Sequence, residues 1–320
     1  MRLATRDNGT ADGELILVSR DGATCLPAGA AAPHLLGALE HWEAALPALQ
    51  GTAARLEAGQ GSPLDPATLR APLPRTWQWL DGSAFPTHGE LMQQAFDLPP
   101  IETDKPLMYQ GLSHQFLSPT EDVPFPSEAD GIDFEGEFGV ITGPVPMGCP
   151  ADRALAHVRL IVLINDWSLR TIAPVEMKTG FGWIQAKPAC SVAPFAVTPD
   201  ALGQAWQNGR VCLPLTVAVN GAWFGSPNGD AMAYGFHELI AHAARTRSLP
   251  AGTIIGSGTV SNADHATVGS TCISERRAIE KIAHGAFRTP FLSAGDRVRM
   301  HVGEDAAFFG SIDQRVALAR

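Results

Sequence analysis

Glu135 and Glu137 are separated by one residue in Ile132-Asp133-Phe134-Glu135-Gly136-Glu137-Phe138-Gly139-Val140-Ile141, a stretch that alternates with period two. In a strand this spacing sends both carboxylates to one face, roughly 7 Å apart, with Asp133 and Ile141. Ile132, Phe134, Phe138 and Val140 take the other face. Buried without partners, the two acids would repel each other and lose their hydration. Three arrangements relieve this: solvent on that face, basic side chains opposite, or a cation between the carboxylates. Two aspartates supply candidate companions. Asp81 opens Asp81-Gly82-Ser83-Ala84-Phe85-Pro86-Thr87-His88, and Asp166 follows an apolar run at 158–164 and Asn165. Alone, Asp81-Gly82 could form a plain turn and Asp166 could cap one. With Glu135 and Glu137 they make an all-oxygen donor set, suited to Mg²⁺, Mn²⁺ or Ca²⁺ and not to zinc or copper.

These acids need elements to hold them. Residues 132–141 and 158–164 read as strands, the second nearly continuous in apolar residues, so that Asp166 at its end can turn into a cleft. Further strands are expected at 213–219, closed by the hairpin dipeptide Asn220-Gly221, and at 253–260 and 297–302. Helical patterns are fewer: 89–96, 151–157, 236–245 and 275–283. Strands outnumber helices without regular alternation, which predicts an α+β architecture with a mixed, rolled-up sheet rather than a doubly wound one. The first 70 or so residues read as a small α/β companion. It has a strand at 13–18, an Asp21-Gly22 turn leading to 24–26, and two helices within 35–56 broken near Pro47. Residues 59–63 read as linker, and Pro72 and Pro74 mark entry into the main body. The expected domains are 1–72 and 73–320.

Composition excludes several classes. The 320 residues are 45% hydrophobic and 18% charged, as in an ordinary soluble enzyme, with a net charge of −10 that disfavours nucleic acid or an anionic membrane surface. Cys25, Cys149, Cys190, Cys212 and Cys272 are scattered, odd in number and without CxxC spacing, which suggests reduced thiols. The N-terminus lacks the apolar region of a signal peptide, and the longest apolar run, 160–164, is too short to span a bilayer. A soluble, cytoplasmic protein is expected.

Six motifs follow one another in order: Asp81-x6-His88, Tyr109-Gln110-Gly111, Asp133-Phe134-Glu135-Gly136-Glu137, Asn165-Asp166-Trp167-Ser168-Leu169-Arg170, Phe181-Gly182-Trp183-Ile184-Gln185-Ala186-Lys187-Pro188 and Gly256-Ser257-Gly258-Thr259-Val260-Ser261. From about residue 76 onward the chain thereby resembles the fumarylacetoacetate hydrolase family. The resemblance implies a mixed β-roll catalytic domain, usually homodimeric. It implies one divalent cation, Mg²⁺ before Mn²⁺ or Ca²⁺, held by Asp81, Glu135, Glu137 and Asp166. His88 would be the base that activates water, since imidazole titrates near neutral pH. Glu275 would orient it. Lys187 and Arg170 would supply positive charge where an oxyanion develops, and Tyr109 and Thr259 would hydrogen-bond the substrate.

The implied activity is metal-dependent hydrolysis of a carbon–carbon bond in a 1,3-dicarbonyl or 2-oxo acid, of the kind met in aromatic compound catabolism. The substrate would be a small enolisable oxo acid or diketone, with no nucleic acid and no membrane as partner. The alternative is a 2-oxo acid lyase (decarboxylase, hydratase or isomerase) using the same metal site. Departures bear on the substrate. Ser83 stands where members that cleave fumarylacetoacetate carry tyrosine. The helix after His88 offers Gln93, Gln94 and Phe96 in place of an arginine. Ala173 and Met177 replace a glutamine and a tyrosine.

Overall fold

The computed structural model describes residues 1–99 and 103–319. A mixed sheet runs through the molecule in the order Ser62–Pro63, Thr24–Pro27, Glu14–Val18, Arg2–Arg6, Ala196–Val197, Val158–Asn165, Gly136–Thr142, Ile254–Gly256, Trp79–Ser83, Leu107–Gly111. Neighbours are antiparallel except Ile254–Gly256 and Trp79–Ser83, which run parallel. A second, five-stranded sheet holds Ala222–Gly225, Leu215–Val219, Arg297–Val302, Ser311–Leu318 and Val123–Phe125. Helices are inserted irregularly between strands, giving the expected α+β fold with a mixed sheet.

The strand Val158–Asn165 shows why the sheet forms. Its β-branched and leucine run is buried on both faces. Ile161 and Leu163 enter one apolar core, while Leu160, Val162 and Ile164 enter another. Each such side chain contributes roughly 1.5–3 kcal/mol on burial. The second core also holds Leu35, Leu39, Trp42 and Leu49 from the helices Leu35–Glu40 and Trp42–Glu57. The N-terminal strands continue the central sheet through Leu3 opposite Ala196.

Register then gathers the acids. Glu137 lies opposite Ile164 and Gly136 opposite Asn165, which brings Asp166 alongside Glu135. Gly139 pairs with Gly256, Gly256 with Asp81, and Asp81 with Tyr109. Neighbouring strands thus deliver all four carboxylates to one end of the sheet.

Several local expectations change. The stretch 132–141 is two strands, Ile132–Asp133 and Gly136–Thr142, because its first part pairs with Ser168–Leu169 and its second with Val158–Asn165. Residues 253–260 hold a strand only at Ile254–Gly256, after which the chain turns through Gly258 at φ +76°. The N-terminal helices break at His41, whose φ/ψ of −123°/38° leaves the helical region; Pro47 sits inside the second helix. Pro47 and Glu43 are exposed, so the Glu43 carbonyl deprived of an N–H partner is open to solvent. Residues 59–63 are not a free linker: Ser62–Pro63 is an edge strand on Thr24–Pro27. Trp79 packs in the core, whereas Trp77 is exposed and donates its indole N–H to Glu40 at 3.1 Å.

Candidate metal centre and active site

Asp81, Glu135, Glu137 and Asp166 are all buried and present carboxylate oxygens within 4.8 Å of one another. Of the three arrangements open to the Glu135–Glu137 face, solvation is therefore excluded, and basic side chains cover only part of it. Lys187 Nζ donates to Glu135 at 3.0 Å and also to Asp166. Arg170 donates from Nε to Asp133 at 2.8 Å and from Nη2 to Glu135 at 2.5 Å. Tyr109 donates its hydroxyl to Asp166 at 2.8 Å. Both Glu137 oxygens are buried with no donor reaching them among the described residues. The neighbouring carboxylate of Asp81 can share a proton with Glu137, but only if one of the two is protonated.

Electrostatics follow from this uneven cover. Burial, with Asp166 nearby, pushes the Asp81 carboxyl well above the usual carboxylate range. Burial, with Asp81, Asp166 and Glu135 around it, does the same to Glu137. Glu135 is also desolvated, yet Lys187 and Arg170 hold it below that range. Burial works against the Lys187 ammonium, but Asp166 and Glu135 keep it charged. The Tyr109 and Trp183 rings lie 5.5 and 5.6 Å from it.

A hard divalent cation fits this set. Four buried oxygen donors converge, and five carboxylates counting Asp133 face two cationic side chains. Gly256 lies between two of the donors: a Cβ there would fall 2.4 Å from Asp81 Oδ1 and 2.9 Å from Glu137 Oε2. The backbone leaves that space to the carboxylates.

His88 stands in the helix Pro86–Phe96 that follows the Asp81 strand, started by Pro86 at its first position. Its Nδ1 lies 2.9 Å from Glu275 Oε2. Glu275 is fully buried in the first turn of the helix Ile273–His284, which packs on the His88 helix. His88 is near enough to Glu135 for imidazolium charge to favour that carboxylate. Thr259 is buried in the loop after Gly258, whose N–H donates to Asp81 at 3.2 Å. Both expected oxyanion partners already hold carboxylates, Arg170 those of Asp133 and Glu135 and Lys187 those of Glu135 and Asp166, and each keeps further N–H donors.

Three further residues support the site. Asp133 accepts from the N–H groups of Ile273 and Ser274 at 2.8 and 2.9 Å, capping the Glu275 helix from another strand. The local signal was a missing one: Cys272 occupies the N-cap where Ser, Thr, Asp or Asn is usual. Cys190 donates its thiol to Asp166 at 3.0 Å, a contact with no sequence signature. Trp183 meets Tyr109 edge-on at 4.7 Å; its aromatic character within the Lys187 motif was the available clue.

Comparisons with known proteins bear on the family and the fold. The family model for the fumarylacetoacetate (FAA) hydrolase C-terminal region matches residues 78–317, and that for fumarylacetoacetase N-terminal domain 2 matches residues 1–75. Oxaloacetate tautomerase FAHD2B, mitochondrial, from Homo sapiens is 24% identical over 205 residues, 62% of this chain and 56% of that protein. Fumarylacetoacetase from Caenorhabditis elegans is 26% identical over 214 residues, 58% of this chain and 51% of that one. The chain thus spans about half the length of the curated relatives it matches. Maleylpyruvate hydrolase from Sphingobium sp. SYK-6, solved with manganese(II) and pyruvate, superposes with a TM-score of 0.69 at 18% identity, covering 100% of both chains. A 5-carboxymethyl-2-hydroxymuconate delta-isomerase from Mycobacterium smegmatis gives 0.64 at 17% identity, also covering 100% of both. With its C-terminal model covering three quarters of the sequence, the chain belongs to the fumarylacetoacetate hydrolase family.

Proposed function

We propose that the protein is a divalent-metal-dependent hydrolase that cleaves a carbon–carbon bond in a 1,3-dicarbonyl or 2-oxo acid of acylpyruvate type. The observation that carries this reading is the His88–Glu275 pair at 2.9 Å beside a four-carboxylate cluster. Asp81, Glu135, Glu137 and Asp166 would hold the ion, with Mg²⁺ the first candidate. When bound, such an ion supplies a Lewis-acid centre that polarises a carbonyl and offsets negative charge on two neighbouring substrate oxygens.

The chain's own groups do the rest. With the Nδ1 proton donated to Glu275, His88 keeps its Nε2 lone pair for a proton from water. Glu275, buried beside the ring, offsets the imidazolium that forms. That proton can then pass to the carbon released when the bond breaks. Lys187 donates toward oxygen charge developing on the attacked carbonyl. Arg170 and Tyr109 orient Glu135 and Asp166. Because Tyr109 gives its one proton to Asp166, toward substrate it offers lone pairs; Thr259 retains a hydroxyl donor. A homodimer accompanies this reading on family grounds, and a cytoplasmic location on the scattered, free cysteines.

Ser83, Gln93, Gln94, Phe96, Ala173 and Met177, where the chain departs from fumarylacetoacetate-cleaving members, carry no positive charge of their own, although Lys281 Nζ lies 5.4 Å from the Phe96 ring. A neutral or apolar tail suits them better than a second carboxylate, which an arginine fork would grip. A second reading, enolisation or lyase chemistry without attack by water, is favoured by the relatives named as tautomerases. Product analysis with an alkyl acylpyruvate, fumarylacetoacetate and oxaloacetate separates the readings. Cleavage of the first, with the highest kcat/KM, supports hydrolysis of an apolar-tailed substrate. Turnover of oxaloacetate alone supports the second reading.

A further inference from the structure

The segment between Arg170 and Lys187 is anchored in an unusual way. Most of its apolar side chains between Ile172 and Ala186 face outward: Phe181 is 97% and Ile184 85% exposed, with Val175 and Met177 also exposed. Burial therefore does little to fix it. The carboxylate of Glu176, in the helix Ala173–Thr179, accepts instead from three successive backbone N–H groups: Ile184 at 3.1 Å, Gln185 at 3.0 Å and Ala186 at 3.0 Å. These bonds, Gln185 first, hold the Glu176 carboxyl below the usual carboxylate range, so it stays ionised at neutral pH. Ala186 is pinned from its other side by its carbonyl, which accepts from Leu169 N–H at 2.8 Å. The next residue is Lys187, bonded to Glu135 and Asp166. Three residues before Ala186 is Trp183, whose ring lies against Tyr109 and near the Lys187 ammonium. Gly180 and Gly182, at φ +72° and +98°, make the turn that brings the chain back to the carboxylate.

We propose that Glu176 is a positioning residue of the active site: by clasping the amides of 184–186 it fixes where Lys187 and Trp183 stand against the carboxylate cluster. Glu176 touches no reacting atom; it acts through the loop. The proposal rests on the reading of the cluster as a metal-dependent oxo-acid site.

The test uses Glu176→Ala and Glu176→Gln in the full chain, with hydrogen exchange and ligand binding as readouts that need no turnover. In Glu176→Ala the amides of Ile184, Gln185 and Ala186 should exchange at least about tenfold faster, while those of the core strand Val158–Asn165 keep their rates. Affinity of the Mn²⁺-loaded protein for oxalate, a probe with two neighbouring oxygens, should weaken about tenfold, with Mn²⁺ affinity held within about threefold. Glu176→Gln retains one acceptor oxygen and should fall between wild type and alanine. It decides the matter if the alanine protein does not fold. Wild-type exchange at 184–186 together with wild-type oxalate affinity in the variant overturns the proposal. Failure of the wild type to bind Mn²⁺ or to cleave any acylpyruvate would instead overturn the functional reading, leaving the exchange result to judge the clasp.

Discussion

His88 Nδ1 and Glu275 Oε2 stand 2.9 Å apart although 187 positions separate them in sequence. The contact exists because two helices, each held at its start by a different strand, pack side by side. Glu275 is fully buried, so its carboxylate fixes the ring tautomer without competition from water. Replacing His88 by alanine should lower kcat about 10²–10⁴-fold while leaving metal affinity intact. Glu275→Gln should cost less, and the double variant should lose little more than His88→Ala. Steady-state kinetics on the three variants check this; additive losses would show that the two side chains work separately.

The Gly256 backbone sets the size of the carboxylate cluster. A methyl group there would meet Asp81 Oδ1 and the Trp79 ring at 2.4 Å and Glu137 Oε2 at 2.9 Å, so Gly256→Ala should weaken divalent-metal binding by about tenfold or more. Titration calorimetry with Mn²⁺ reads this directly. Thermal unfolding of the chelated variant distinguishes loss of the site from loss of the fold.

The stabilisation conferred by a bound metal should grow with pH. In the chelated protein Asp81 and Glu137 have raised carboxyl pKa values, from burial and neighbouring acids. Their contribution is complete below the ordinary carboxylate range and is lost as pH rises through the raised native values. Glu135 is depressed by Lys187 and Arg170, so its contribution is present above that range and lost as pH falls below it. A bound cation needs the acids ionised, so the rise in Tm on adding Mg²⁺ should grow with pH. Melting curves from mildly acid to mildly alkaline pH check the sign; a metal-induced gain that shrinks as pH rises would contradict it.

Asp133 joins the metal side of the site to the dyad side. It caps the Glu275 helix and holds Arg170 at 2.8 Å. Asp133→Ala removes a helix cap, worth about 0.5–2 kcal/mol, and one of the two carboxylates on the half-buried Arg170 guanidinium, leaving it paired with Glu135. Urea unfolding should show a loss of at least about 1 kcal/mol. A near-neutral change would mean that Asp133 does not cap the helix to any energetic effect.

The sequence exposed some of this and hid the rest for physical reasons. Period-two alternation around Glu135 and Glu137 survives as a shared face because alternation is a local property. It does not report that the strand changes partners at Phe134 and Glu135, which depends on Val158–Asn165 arriving alongside. The continuous apolar run ending at Asp166 is legible because both of its faces are buried. Asp133 as a cap for a helix beginning at Ile273 is illegible, since no local rule links positions 140 apart. The His41 break was hidden by Pro47, a stronger sequence breaker whose lost hydrogen bond costs little on an exposed helix face.

The central claim is that this chain delivers a water-derived oxygen to a carbonyl carbon and so breaks a carbon–carbon bond, with the acid cluster loaded. It is tested most directly by mass analysis of products from an alkyl acylpyruvate incubated in ¹⁸O-labelled water with Mg²⁺-loaded enzyme. The account predicts pyruvate and an alkanoate in equal amounts, the alkanoate carrying one ¹⁸O in its new carboxylate, and no products after chelation. Release of carbon dioxide or keto–enol interconversion without alkanoate, or undiminished cleavage in excess chelator, would contradict it.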